Sequence, residues 1–237
     1  MQGKGGKSGR LLEWTVILAV PAVLVLCAVF ELAQAAVLTF LAATLSIIPF
    51  FLRFERARPR PRDIMPVVVM AALATAGQLV FGPIASFKPV GAIVIVTAIA
   101  FGRQTGFVTG ALTALSSNMF FGQGPWTPWQ MFAWGLIGYL AGTFNERGWF
   151  KHPVLVHLYG FFSGLLFGLI MDSWHVTGFI QPLTWGSALA AYGAGLPMNL
   201  TLSAATVLFL LPILGPWTRK LERIKRKFDL SGDHKSG

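Results

Sequence analysis

Apolar residues in this chain come in long, nearly unbroken runs separated by short polar stretches, without the alternation of a half-buried strand. A bilayer core about 30 Å thick needs roughly 20 mostly apolar residues per helix. Eight runs approach that length: 11–30, 33–52, 64–82, 84–102, 104–121, 128–145, 153–172 and 187–212. The pattern predicts an all-α integral membrane protein of about eight transmembrane helices. The fourth run is the weakest. Its clean part is Val90 to Gly102, Lys88-Pro89 stands at its start, and a re-entrant segment is the alternative there. The first run follows a basic tail and precedes Ala33-Gln34-Ala35, which imitates a cleaved signal peptide. It exceeds the usual apolar region of about 7–15 residues, so it is read as a retained span.

Composition narrows the class. Of 237 residues, 54% are hydrophobic and 12% charged, against about 25% charged in a soluble domain. Water-facing surface needs charge and lipid-facing surface does not, so an ordinary cytosolic enzyme, a disordered chain and a disulfide scaffold are excluded. The lone Cys27 has no intrachain partner.

The net charge of +10 is a topology signal. With the N-terminus in the cytoplasm, 18 of the 19 Lys and Arg fall in cytoplasmic segments; Lys88 is the exception. Basic loops stay cytoplasmic during insertion, so eight spans with both termini inside are expected. The chain then divides into a basic tail (1–10), a transmembrane hairpin (11–52), an Arg-rich loop (53–62), a six-helix core (63–214) and a basic amphipathic tail (215–237). In that tail Trp217, Leu221, Ile224 and Phe228 share one face, as in a helix lying on the cytoplasmic leaflet. The arginines of the 53–62 loop orient the chain and meet anionic headgroups; nucleic acid has little support, because the stretch is Pro-broken and lies between spans.

Lipid supplies no hydrophobic drive between helices, so close packing needs small residues on one face. Gly102, Gly106 and Gly110 form such a stripe, as do Gly138 with Gly142, and Gly160, Gly164 and Gly168. These are expected to pack the chain on itself. Ala72 and Ala76 share the spacing, and there contact with another protein is also open.

Catalytic signatures are absent. Gly6-Lys7-Ser8 lacks the earlier glycine and preceding strand of a phosphate loop, and there is no His-Glu-x-x-His, Gly-x-Ser-x-Gly or metal-ligand spacing of histidines. The expected outer side is richer. It holds Ser117-Asn118-Met119-Phe120-Phe121-Gly122-Gln123-Gly124-Pro125-Trp126-Thr127-Pro128-Trp129-Gln130 between spans five and six, and Asp172-Ser173-Trp174-His175 between seven and eight, with Lys88 on the same side. Rings bury the apolar faces of a large amphipathic ligand and amides satisfy its polar edges. An aromatic belt and helix capping explain the same residues. Asp172 and His175, three apart, are placed to pair.

The run from Ser117 to Gln130, followed by Trp134-Gly135-x-x-Gly138 and Ala141-Gly142, resembles the substrate-binding S components of energy-coupling factor (ECF) vitamin transporters, most nearly the subgroup with the cobalamin-specific member. The similarity covers roughly residues 63–214. It implies a six-helix S-component core, to which the 11–52 hairpin is additional and for ligand capture dispensable. It implies a substrate-capture subunit of an ABC-type importer in a prokaryotic plasma membrane, taking a vitamin, first of all cobalamin or a related corrinoid, from outside. The implied partners are a transmembrane coupling subunit, met by Ala72 and Ala76, and two ATPases that use ATP; this chain is no enzyme and holds no cofactor or metal. Asn118, Gln123, Trp126, Trp129, Gln130, Asp172, Trp174, His175 and Lys88 are the candidate substrate-binding residues, and Gly195-Leu196-Pro197-x-Asn199 resembles the start of the family's last helix. A free-standing secondary transporter, for which His157 and Asp172 are the main ionisable groups within spans, and a membrane enzyme acting on a lipid or isoprenoid are the alternatives.

Overall fold

The computed structural model describes residues 35–56, 61–182 and 184–227, with Thr15, Leu18, Ala19, Ala22 and Val23 as isolated positions. The first expected span, Phe228 and residues 57–60 lie outside them. The regular structure of the described residues is entirely helical: α1 (Ala35–Arg56), α2 (Pro61–Val80), α3 (Val90–Phe101), α4 (Arg103–Phe121), α5 (Thr127–Glu146), α6 (Pro153–Phe179) and α7 (Trp185–Lys227). Three of these, α2, α6 and α7, are long and apolar enough to cross a membrane, with mean hydropathy of 1.7, 2.0 and 1.8 over their best windows. They carry exposed Val68, Val69, Leu73, Leu155, Leu158, Phe162, Leu208 and Leu211. A surface this apolar suits lipid and not water.

α3 is the inner member. Its sequence, Val-Gly-Ala-Ile-Val-Ile-Val-Thr-Ala-Ile-Ala-Phe, has no polar face, and a helix apolar all round belongs in an interior. All its residues but Ile99 and Phe101 are buried. At 12 residues it is about 18 Å long at 1.5 Å per residue, short of a bilayer core, and 81–89 are turns. The expected span 84–102 is thus a short buried helix with a folded entry loop. Phe81 and Phe87 of that loop pack on Phe209 of α7, at 5.0 and 5.2 Å between centroids.

A helix ending inside a bundle leaves carbonyls that need donors. Gly102 N–H donates to Ala98 O at 2.9 Å, Asn145 Nδ2 to Ile99 O at 3.1 Å, and Lys225 Nζ to Ala100 O at 3.0 Å. Gly102, at φ 95°, then turns the chain directly into α4, a conformation glycine adopts without a Cβ penalty. We call this the elbow end of the bundle. Lys225 explains a departure from expectation. The basic tail is not a separate surface helix, because α7 runs unbroken to Lys227 and lays Trp217 and Leu221 on the core beside Ile93 and Met70.

The glycine stripes pack the chain on itself. Gly106 and Gly138 stand backbone to backbone, as do Gly110 and Trp134, and Gly142 meets the backbone of Arg103. Across α6 and α7, Gly160 faces Leu210, Gly164 faces Ser203 and Gly168 faces the Asn199 side chain.

The helix preceding the expected six-helix core is built into it. Ala43, Ile47 and Phe50 of α1 share one core with Val67, Phe107, Trp129 and Tyr139. The fully buried Phe50 ring stacks on Phe107 at 3.8 Å. The second half of the 11–52 hairpin thus packs against the expected six-helix core.

Candidate functional site

Opposite the elbow, α4 ends at Phe121 and Gly122, at φ 104°, starts the turn into α5. Four side chains fasten this turn. Asn118 Nδ2 donates to Thr127 Oγ1 at 3.1 Å and to Gln130 Oε1 at 2.9 Å. The Thr127 hydroxyl donates to Gln123 Oε1 at 3.0 Å and accepts Gly124 N–H at 3.3 Å. Gln123 Nε2 donates to Leu115 O at 3.1 Å. A hydroxyl offers one donor and two acceptor positions, and Thr127 uses all three. The structure thus brings together Asn118, Gln123 and Gln130, with Asn118 bonded to Gln130 and both Asn118 and Gln123 bonded to Thr127. The cap over α4 and α5 is a polar network centred on the Thr127 hydroxyl.

Aromatic residues continue from the cap to the neighbouring helix pair. Trp126 meets Trp174 edge-on at 6.1 Å, Trp174 meets Phe179 at 5.2 Å, and the His175 ring stacks on Phe179 at 5.5 Å. Beside them, between the end of α6 and the start of α7, lies a cleft of about 540 Å³ lined by Asp172, His175, Ile180, Ser187, Ala191 and Gly195 among others. Asp172 Oδ2 accepts from Asn199 Nδ2 at 2.7 Å. Each of these two side chains lies over a glycine of the opposite helix, Asp172 over Gly195 and Asn199 over Gly168. A hydroxyl pair, Ser173 Oγ and Tyr192 Oη at 2.9 Å, adds a second polar tie.

Two expectations change here. Asp172 is engaged by Asn199, whereas His175 stacks on Phe179, so the expected Asp172–His175 pairing is replaced by one between helices. Residues 172–177 are helix and not loop. No proline stands between Pro153 and Pro182, and the Ser173 and Thr177 hydroxyls are absorbed by the helix's own carbonyls, Leu169 O and Ser173 O, at 2.6 and 2.9 Å. Gly195 to Asn199 lie within α7, ten residues after its start at Trp185, with Pro197 inside the helix, and do not begin a helix.

The remaining candidates are dispersed. Trp129 is fully buried in the core shared with Phe50 and Tyr139. Lys88 sits in the entry loop with its ammonium 5.3 Å from the centroid of the Phe121 ring. Partial burial there strips water from the ammonium and lowers its pKa from the ordinary 10.5. Ala72 and Ala76 are exposed on α2, on a face shared with Val68, Val69 and Leu73. Asn199 and Tyr192 were not among the candidates. The signal for Asn199 was its polarity in an apolar run, combined with Gly168 in the facing stripe. Among the described residues no group of three or more His, Cys, Asp or Glu is placed to hold a metal.

Compared with protein-family models, with curated proteins and with solved structures, the chain matches none.

Proposed function

We propose that this chain is the substrate-capture subunit of an ECF-type importer, an eight-span protein of a prokaryotic plasma membrane with both termini in the cytoplasm. It takes a vitamin at the cap end and passes it inward with a coupling subunit and two ATPases. The observation that carries the reading is the cleft of about 540 Å³ between α6 and α7, which adjoins the Trp126–Trp174–Phe179 ring sequence and offers the Asp172 carboxylate. Its size lies within the roughly 300–1,000 Å³ of small-molecule sites, and its lining of small apolar residues with a few polar groups, Asp172, His175 and Ser187, is of the kind such sites use. The exposed small residues Ala72 and Ala76 suit close approach by a helix of another subunit. Cobalamin or a related corrinoid is the first ligand to test, on the strength of the sequence resemblance.

The test is binding of the purified chain to a panel of vitamins including cobalamin, followed by purification from its native membrane. Saturable binding of one vitamin, weakened by Trp126→Ala and Trp174→Ala, and co-purification of ATPase subunits are expected. No binding across the panel, with no ATPase recovered, would sink the reading. The Asp172–Asn199 pair inside a helix interface favours a secondary transporter as the second reading. It demands uptake that continues without ATPase subunits and collapses with the ion gradient.

A further inference from the structure

The charge in the cleft between α6 and α7 is one-sided. Asp172 is the only carboxylate on its walls, and no lysine or arginine lines it. Among the described residues Asp172 meets no cation: its hydrogen bond is to the neutral Asn199 amide, at Oδ2. A carboxylate offers about four acceptor positions on its two oxygens, so most of that capacity stays open. Lys88, the basic side chain expected on the same side of the membrane, is held at the Phe121 ring instead, 5.3 Å from its centroid.

The other polar groups around the cleft are engaged within the chain. The Ser187 hydroxyl donates to Pro182 O at 3.0 Å and accepts Thr184 N–H at 2.9 Å. The start of α7, whose amide dipoles would favour an anion, has its own cap: Ser187 N–H donates to Thr184 Oγ1 at 3.1 Å and Ala188 N–H to Thr184 O at 2.9 Å. His175 is stacked on Phe179. Space comes from α7, where Ala190, Ala191, Ala194 and Gly195 present one face without long side chains. The Asp172 carboxylate takes the place of a side chain at Gly195: a Cβ there would lie 2.6 Å from Oδ2. It therefore lies flat on α7, at the edge of an apolar wall.

We infer that this cleft selects a ligand with a cationic amine, its ammonium at Asp172 and its apolar body along the alanine face. The inference deepens the capture reading, on which it rests for taking the cleft as the place where substrate is held, and it names the ligand class by charge. A half-buried carboxylate without a counter-charge is costly. A cation removes that cost, whereas an acidic ligand sets like charges side by side. A hydrogen bond to a charged group is worth about tenfold in affinity at its lower end.

Tryptamine, tryptophol and indole-3-acetate share one ring and are respectively cationic, neutral and anionic at neutral pH. Their binding to the full chain in an uncharged detergent is measured by saturation-transfer NMR. We expect tryptamine to bind about tenfold more tightly than tryptophol, and indole-3-acetate more weakly than either. Asp172→Asn keeps the shape of the side chain and removes its charge, so tryptamine should drop to the level of tryptophol while tryptophol holds. Glu222→Gln, which removes an exposed carboxylate outside the cleft, should leave the order intact. Ala191→Phe should fill the cleft and weaken all three. Indole-3-acetate bound as tightly as tryptamine, no saturable binding of any probe, or a tryptamine preference that survives Asp172→Asn overturns the inference. The order of the three probes is read on the unaltered chain, so it decides even where a variant folds poorly. The probes are not vitamins and need no ATPase. A tryptamine preference beside a failed vitamin panel and no ATPase recovered would remove the transport reading and leave the cleft its ligand class. A bound vitamin and recovered ATPases without any charge preference would remove the inference alone.

Discussion

The pairs α4–α5 and α6–α7 are both joined by glycines four residues apart, yet the glycines do different things. In α4–α5 they meet backbone: Gly138 faces the Gly106 carbonyl and Gly110 faces that of Trp134. In α6–α7 two of them meet side chains, Gly160 that of Leu210 and Gly168 that of Asn199, while Gly164 meets both the hydroxyl and the backbone of Ser203. Backbone against backbone leaves nothing that can move, and this pair holds the core with Phe107 and Trp129 and is closed at one end by the Asn118–Thr127 network. Glycine against a side chain leaves a rotamer free to respond, and this pair carries the Asp172–Asn199 contact and the cleft. The same spacing is scaffold in one place and candidate site in the other, and what faces the glycine decides which.

One substitution made in both pairs breaks the comparison most sharply. An alanine at Gly138 would drive its Cβ into the Gly106 carbonyl, so the helices must separate. Overpacking of that kind costs about 3 kcal/mol at its upper end, and the gain of about 1 kcal/mol from alanine's helix propensity does not offset it. Gly138→Ala should therefore melt well below the unaltered protein in detergent, with poor recovery of folded material. An unchanged melting temperature would mean that the α4–α5 contact is looser than backbone on backbone.

The second effect concerns α1, which packs on the scaffold pair. Phe50 stacks on Phe107 and meets Tyr139 edge-on at 5.3 Å. In lipid the transfer contribution to a truncation largely vanishes, and the cavity remains. Phe50→Ala leaves a void of about 100 Å³, which at about 24 cal/mol per Å³ costs about 2 kcal/mol. Unfolding in a mixed-detergent titration should shift by that amount. A chain starting near Asp63 should be at least as unstable, and ligand binding by it with full stability would restore the view of residues 11–52 as a removable hairpin.

How far the sequence reached follows the same division. The glycine stripes were legible because small residues at a spacing of four have one physical use in lipid, and the seven described helices fall on seven of the eight apolar runs. The shortness of α3 was signalled by Lys88-Pro89 inside its run. The ends of α6 and α7 were not legible, since a limit of about 20 residues stops each at the membrane edge, whereas α6 continues to Phe179, with no proline before Pro182, and core packing carries α7 on to Lys227. Trp126 and Trp129 looked alike, three residues apart, but one meets Trp174 and the other is sealed in the core. Only the direction of a helix entry separates them, and composition does not encode it. Asn118, Gln123 and Gln130 lie in one network, but the sequence did not show that the Thr127 hydroxyl links them.

Gly168→Ala is the counterpart of Gly138→Ala with a smaller expected effect. Its Cβ would meet the Asn199 amide, the far end of a side chain, which can rotate away. Loss of the Asn199–Asp172 hydrogen bond costs about 0.5–1.5 kcal/mol, which the helix propensity of alanine largely offsets, at about 1 kcal/mol. Melting should change little, while affinity for whichever vitamin the panel identifies should fall several-fold, because the carboxylate at the cleft loses its positioning partner. A large loss of stability instead would make α6–α7 as rigid as α4–α5 and erase the difference between them.

The smallest effect is a pH dependence at the edge of the scaffold pair, where Lys88 sits over Phe121. Burial lowers the Lys88 pKa below its ordinary 10.5, so between the folded and unfolded values the unfolded chain holds more protons. Stability rises with pH wherever that is so. Below the folded value both states carry the charge and the desolvation cost is felt in full; as pH climbs toward 10.5 the folded chain sheds the proton and the cost disappears. The melting temperature of the unaltered protein minus that of Lys88→Met should therefore increase from pH 8 to pH 10.5, and subtraction removes the titration of every other lysine and tyrosine. A difference that stays flat, or falls, would mean that the Lys88 ammonium is as well hydrated as a free one and that the entry loop stands open to water instead of closing on the end of α4.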